Sequence, residues 1–140
     1  MSNHTTARAN LQRAGKILEE ARHLCEQRVW NLVVRRCQEV VELALKAALW
    51  WAGVEVPRLH DVGAILRQYA ARFPEHFAEQ IPRMASISRS LGAERERSFY
   101  GDEVLRLPPE ELYFEHDAQD ALEKAEFVLQ TCRQLIEETE

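Results

Sequence analysis

The chain has 140 residues, 46% of them apolar and 29% charged, enough to build the core of one ordinary globular domain. Eighteen Lys and Arg against twenty-three Asp and Glu give a formal net charge of −5, which excludes a generally basic nucleic-acid coat and leaves room for a local basic patch only. The three cysteines, Cys25, Cys37 and Cys132, form no CxxC or Cys/His cluster, so neither a disulfide framework nor a metal or other cofactor is expected, and a reducing cytoplasm fits.

Residues 1–6 are short and polar and read as a disordered tail rather than a secretory signal. Residues 7–28 then carry Leu11, Ala14, Leu18, Ala21 and Cys25 at intervals of three and four, the stripe of an amphipathic helix. Residues 30–52 place Trp30, Val34, Cys37, Val41, Ala44, Ala48 and Trp51 on one stripe with Val33, Val40 and Ala47 beside it. A helix with so wide an apolar face is central to its bundle or lies at a subunit interface. Its most apolar stretch, residues 44–54, contains Lys46 and falls short of the ~20 residues a membrane span requires. The adjacent Trp50 and Trp51 point about 100° apart, which suits one to the core and the other to a dimer surface. Gly53 stands where a helix stop is expected, and Pro57 keeps residues 53–59 out of helical geometry.

A third helix is expected from about His60–Asp61, with Asp61 as cap and Val62, Ile65, Leu66, Tyr69 and Phe73 on its inner face, until Pro74 stops it. Pro82 suits the first turn of another helix that runs to about Leu91 through Met84, Ala85, Ile87 and Ser88. Residues 92–113 are ambiguous, because residues 94–100 could continue that helix while Gly101 and Pro108–Pro109 break regular structure. The reading adopted is a helix end near Tyr100 and then a loop. From Ala118 through Leu122, Ala125, Leu129, Cys132 and Ile136 the helical period is unbroken. No strand pattern competes, so the expected fold is all-α, an up-and-down bundle of four long helices plus one or two short helices, forming a single domain over residues 7–138.

No Gly-rich phosphate loop, HExxH or cysteine-based metal spacing is present, which removes the common motif-defined enzyme classes. His60 beside Asp61 could act as a general base oriented by a carboxylate, although a capping and loop-packing pair is the plainer reading. Arg35, Glu39, Glu42 and Lys46 form a narrow polar stripe on the otherwise apolar second helix. They read either as a solvated ion-pair face or as the lining of an interhelical or intersubunit cleft. The segment richest in chemistry is residues 89–102, with Arg89, Arg95, Arg97, Tyr100, Gly101 and Asp102. Planar bidentate charge with a hydroxyl and a stacking ring suits a phosphodiester, whereas the interleaved acids Glu94, Glu96 and Glu103 also allow a self-neutralised surface helix end.

Three pieces in order carry a family resemblance: residues 35–47 followed by 53–63, then residues 95–102 (Arg-Glu-Arg-Ser-Phe-Tyr-Gly-Asp), then residues 108–129 opening the last helix. From about Ala7 to Ile136 the chain resembles HEPN domains, named from higher eukaryotes and prokaryotes nucleotide-binding, and in particular their prokaryotic branch. The resemblance implies a helical bundle that homodimerises and pairs with a minimal nucleotidyltransferase in a toxin–antitoxin-like complex. It also implies binding of nucleotide or RNA, here through Arg95, Arg97, Tyr100 and Asp102. Many such domains are metal-independent ribonucleases whose cleavage site uses an Arg and a His separated by four to six residues. Counting from Arg95 arrives at Tyr100 where that His would stand, so the resemblance leaves Arg95 and Tyr100 as catalytic candidates. A tyrosine is a poor general base near neutral pH. In some paired toxins a nearby tyrosine is adenylylated by the partner, and Tyr100 lies close to that position. The expectation is thus a dimeric binding subunit. The alternatives are a divergent ribonuclease with Tyr100 in the histidine's place, or a purely structural interaction domain.

Overall fold

The computed structural model describes residues 2–138. In chain order the helices are α1 (Ser2–Glu26), α2 (Trp30–Trp51), α3 (Gly63–Gln68), α4 (Glu75–Ala78), α5 (Ile81–Ala93), α6 (Arg97–Tyr100) and α7 (Glu115–Glu138), with single 3-10 turns at Ala70–Arg72 and Pro109–Glu111. The four long ones, α1, α2, α5 and α7, make the expected all-α bundle. Among the described residues there is no strand, only an isolated antiparallel bridge between Asp102 and Leu107.

α2 is the axis of the bundle: α1, α7, α5 and α6 all pack on it, and α3 packs on α5. The breadth of its apolar face is used up inside the chain, since Val33, Val34, Cys37, Val40, Val41, Ala44, Leu45, Ala47, Ala48 and Leu49 are all buried. Each fully buried Leu or Val contributes roughly 1.5–3 kcal/mol relative to exposure. Trp50 and Trp51 do not divide between core and surface: both are half-buried, and Trp51 stacks between Phe73 and His4, at 6.1 and 6.3 Å between ring centroids.

Both long N-terminal helices end the same way. At the end of α2, Gly53 is left-handed (φ 74°), its N–H reaches Trp50 O at 3.1 Å, and Val54 N–H reaches Leu49 O at 3.0 Å. This is a Schellman motif, with Val54 tucked under the last turn. α1 ends in the same pattern, Arg28 N–H to Cys25 O and Val29 N–H to Leu24 O, both at 3.0 Å, but its left-handed residue is Arg28 (φ 64°) rather than a glycine.

Three boundaries differ from expectation. The described part of the presumed tail is helical: α1 begins at Ser2, held by fully buried Ala7 and by His4 against Trp51. The third helix is only six residues long, because Pro74 forces Phe73 into an extended conformation (ψ 152°) and Tyr69 has already left helical geometry (ψ 21°). Asp61 still helps to start it, accepting Gly63 N–H at 3.0 Å and the Ser88 hydroxyl at 2.7 Å. Finally, α5 does not run on to Tyr100. It stops at Ala93, residues 94–96 form a turn, and α6 resumes at Arg97.

Candidate functional site

The turn between α5 and α6 is fastened from outside. The Tyr113 hydroxyl donates to Glu94 Oε2 at 2.6 Å, Arg35 Nη1 donates to the Arg95 carbonyl at 2.6 Å, and the buried Asn31 amide donates to the Ser98 carbonyl at 3.1 Å. Carbonyls freed by the helix break thus find side-chain donors from α2, as buried backbone oxygens must. The result is directional. Arg95 leans toward α1 and α2 and lines a cleft of about 270 Å³ with Ile17, Arg36, Glu39, Glu42 and Leu43. Its Nε and Nη1 are buried and meet no hydrogen-bond partner. Unmade hydrogen bonds on a buried donor cost about 1–3 kcal/mol, and more on a charged one. An anion in the cleft would remove that cost.

The polar stripe of α2 forms the floor of this cleft. Glu39 meets Arg36 Nη1 at 2.7 Å and Arg35 Nε at 3.7 Å, while Arg36 Nε also lies 3.7 Å from Glu20. Glu42 accepts from Lys46 Nζ at 2.8 Å and from Gln38 Nε2 at 3.0 Å, and His60 Nδ1 stands 2.9 Å from its Oε1. Burial alone would push the Glu42 carboxyl up, but the bonds from Lys46, Gln38 and His60 together hold it below the usual carboxylate range. Four cations (Arg35, Arg36, Lys46 and Arg95) therefore face three carboxylates (Glu20, Glu39 and Glu42), and the excess charge belongs to the unpaired Arg95. Of the expected lining residues, Glu39 and Glu42 face the cleft directly, whereas Arg35 braces the backbone behind it and Lys46 reaches it through Glu42.

The rest of the expected nucleotide-binding set lies elsewhere. Arg97, Tyr100 and Asp102 line a second, separate concavity of about 370 Å³ with Ala93, Glu96, Gly101 and Glu103. Tyr100 is 63% exposed there. Asp102 is occupied in building a turn: its backbone pairs with Leu107, and its carboxylate accepts Leu105 N–H at 3.0 Å. Gly101 (φ 82°) makes this possible, because a Cβ there would collide with the Leu107 carbonyl. The structure therefore divides the segment into Arg95 on one side and Arg97, Tyr100 and Asp102 on the other.

Two residues that sequence reasoning passed over or misassigned touch members of the α2 polar stripe without lining the cleft. Phe99 is about half exposed and lies under Arg35, whose guanidinium carbon is 5.0 Å from the ring centroid. No spacing rule signals it, because the turn at residues 94–96 separates Arg95 from α6. His60 is oriented by Glu42, and its neighbour Asp61 is engaged instead with Gly63 and Ser88.

An all-α bundle is thus wrapped around one central helix, with an arginine whose Nε and Nη1 lack partners in a polar cleft beside it. The family model described as HEPN domain matches residues 7–135. The chain belongs to the HEPN family, which is tied to nucleotides and RNA and whose domains commonly dimerise. No curated protein and no solved structure matches the chain. Among the described residues no helix is long and apolar enough to cross a membrane.

Proposed function

We propose that this protein is a homodimeric HEPN subunit of the cytoplasm that binds RNA or nucleotide phosphate on Arg95 and assembles with a minimal nucleotidyltransferase, as prokaryotic relatives of toxin–antitoxin type do. The observation that carries the reading is the Arg95 guanidinium, with two nitrogens buried and unpartnered in a cleft of otherwise paired charges. A planar guanidinium suits a phosphate better than an ammonium does, and the half-exposed Phe99 ring under Arg35 offers a stacking face for a base. Three free cysteines suit a reducing compartment. Because the apolar face of α2 is spent internally, the apolar surface left for a second copy or for the partner is the exposed set Leu59, Phe99, Tyr100, Val104, Leu105 and Phe114.

Ribonuclease chemistry through Tyr100 finds no support in the geometry, since Tyr100 and Arg95 line different concavities. A purely structural role leaves the unpartnered arginine without a reason. The test is fluorescence anisotropy of a labelled single-stranded RNA across a salt series with wild type, Arg95→Ala and Arg97→Ala. Wild type binds with affinity that falls as salt rises, Arg95→Ala binds at least ~10-fold more weakly, about 1.4 kcal/mol, and Arg97→Ala loses less. Equal binding by wild type and Arg95→Ala refutes the site. A sedimentation mass of one chain at micromolar concentration refutes the dimer.

A further inference from the structure

Charge is divided along the sequence: residues 110–140 carry ten acids and two bases, and residues 1–109 carry thirteen acids and sixteen bases. α7 presents that acidity along its outer face. Near its start Phe114, Glu115, His116, Asp120 and Glu123 line a concavity of about 740 Å³. Further along, Glu123, Glu126 and Phe127 line another of about 670 Å³, to which Glu79 and His76 of α4 contribute from across the way. The two concavities meet at Glu123 and make one groove. From His116 to Gln134 it follows α7 for about 27 Å, at roughly 1.5 Å per residue. None of the lining residues is Lys or Arg. Arg28, Lys124 and Arg22 reach Glu115, Asp120 and Glu126 at 4.0, 2.8 and 3.5 Å, but surface pairs of this kind hold their partners weakly. Among the described residues Glu79 and Glu123 form no ion pair.

The aromatic residues of the groove show which cation suits it. Arg83 lays its guanidinium carbon 3.8 Å from the Phe127 ring centroid, so the chain itself seats an arginine on this wall. At the other end Phe114 is 60% exposed and stacks nearly parallel with His116, 6.3 Å between centroids, and among the described residues no cation lies over it. A planar guanidinium can stack on such a face while its edge pairs with a carboxylate, which an ammonium does less well. Gln119, Gln130 and Gln134 add amide groups that can bond to the backbone of an extended chain. We propose that the α7 groove is the docking site for an extended, arginine-bearing segment of a partner protein, about eight residues long at roughly 3.3 Å per residue. Glu123 pairs with it near the middle of the groove, and the Phe114–His116 face stacks one of its guanidinium groups. The groove shares no residue with the Arg95 cleft, so the proposal does not rest on the RNA-binding reading, and its charge turns RNA phosphates away.

The experiment titrates the full chain into a fluorescein-labelled peptide of alternating Arg and Ser, as long as the groove, and into its Lys/Ser counterpart, and reads anisotropy at low and at physiological salt. Glu123→Lys, Phe114→Ala and Glu137→Lys are measured beside wild type, each checked for helical content. Glu137 is an exposed residue of α7 outside the groove, and its substitution makes the same change of charge as Glu123→Lys. Wild type is expected to bind the Arg peptide, more weakly as salt rises, and several-fold more tightly than the Lys peptide. Glu123→Lys should lose at least ~10-fold and Glu137→Lys less than ~2-fold, while Phe114→Ala should abolish the preference for Arg over Lys. Equal losses from Glu123→Lys and Glu137→Lys would reveal attraction to net charge alone and overturn the site. Equal affinity of wild type for the two peptides, or displacement of the Arg peptide by an equimolar amount of spermine, would overturn it too. Self-association in sedimentation that Glu123→Lys abolishes, with no peptide bound by wild type, would give the groove to a second copy of the chain and refute the partner segment.

Discussion

Replacing Tyr113 by Phe removes one oxygen and tests whether the turn that aims Arg95 is clamped as described. Tyr113 is 6% exposed and donates to Glu94 Oε2 at 2.6 Å. A hydrogen bond to a charged acceptor contributes about 1.5–3 kcal/mol, and because Glu94 keeps access to water the lower end applies, about 1.5 kcal/mol. For a chain of this size each kcal/mol moves the midpoint by roughly 2–4 °C, so Tyr113→Phe should melt about 3–6 °C lower at neutral pH. Glu94→Gln in a double-mutant cycle should return a coupling of about 1 kcal/mol. Burial first, and then the bond to and the charge of Glu94, push the Tyr113 phenol well above its ordinary range. The unfolded chain then loses this proton near pH ~10 while the folded chain keeps it, so the contribution is fully present below that pH and is lost as pH rises further. The stability gap between wild type and Tyr113→Phe should accordingly be flat around neutrality and shrink above pH ~10. Thermal or urea melts within about 0.3 kcal/mol of wild type at neutral pH would refute the clamp.

Two further outcomes follow from the fold. Burial pushes the Cys37 and Cys132 thiols well above their ordinary range, and Cys25, also raised by burial and then by Glu115 and Glu26, is only partly covered. A chromogenic thiol reagent should therefore label at most one cysteine per native chain and all three in denaturant, and rapid labelling of three in the native state would contradict the packing of α2 and α7. Arg28 holds a left-handed conformation that costs a non-glycine residue about 1–2 kcal/mol, against surface contacts with Glu115 and Trp30 worth less than that. Arg28→Gly should thus leave the protein slightly more stable by chemical denaturation, and a clear loss would show that those contacts outweigh the backbone strain.

The long helices were legible because their apolar residues keep one period without interruption, as Leu11 to Cys25 and Ala118 to Ile136 do, and all of these but the partly covered Cys25 are buried where the period puts them. The third helix was overread because Tyr69 and Phe73 stay in phase with it even though the backbone has left the helix; phase reports which face is apolar, and cannot register a ψ of 21° at Tyr69. The break between α5 and α6 was hidden for another reason. Its supports, Asn31 on Ser98 and Arg35 on Arg95, join residues 67 and 60 positions apart. At the site, Arg95, Glu42 and His60 were each conspicuous alone, yet their association depends on the same distant packing, and adjacency in the chain pointed His60 at Asp61 instead. Arg95, Arg97 and Tyr100 looked like one group because they are close in sequence. The turn at residues 94–96 sends them to different concavities.

The hairpin closed by Asp102 and Leu107 ends in Val104 and Leu105, 92% and 63% exposed, beyond the side-chain bonds that tie Arg95 and Ser98 to α2. The chain thus joins a stretch fastened to distant elements at three points to a turn held only by bonds within itself. A fluorophore or short epitope inserted at the tip would report on neighbouring molecules without disturbing the cleft, whereas one residue added between Glu94 and Ser98 would misalign every anchor at once.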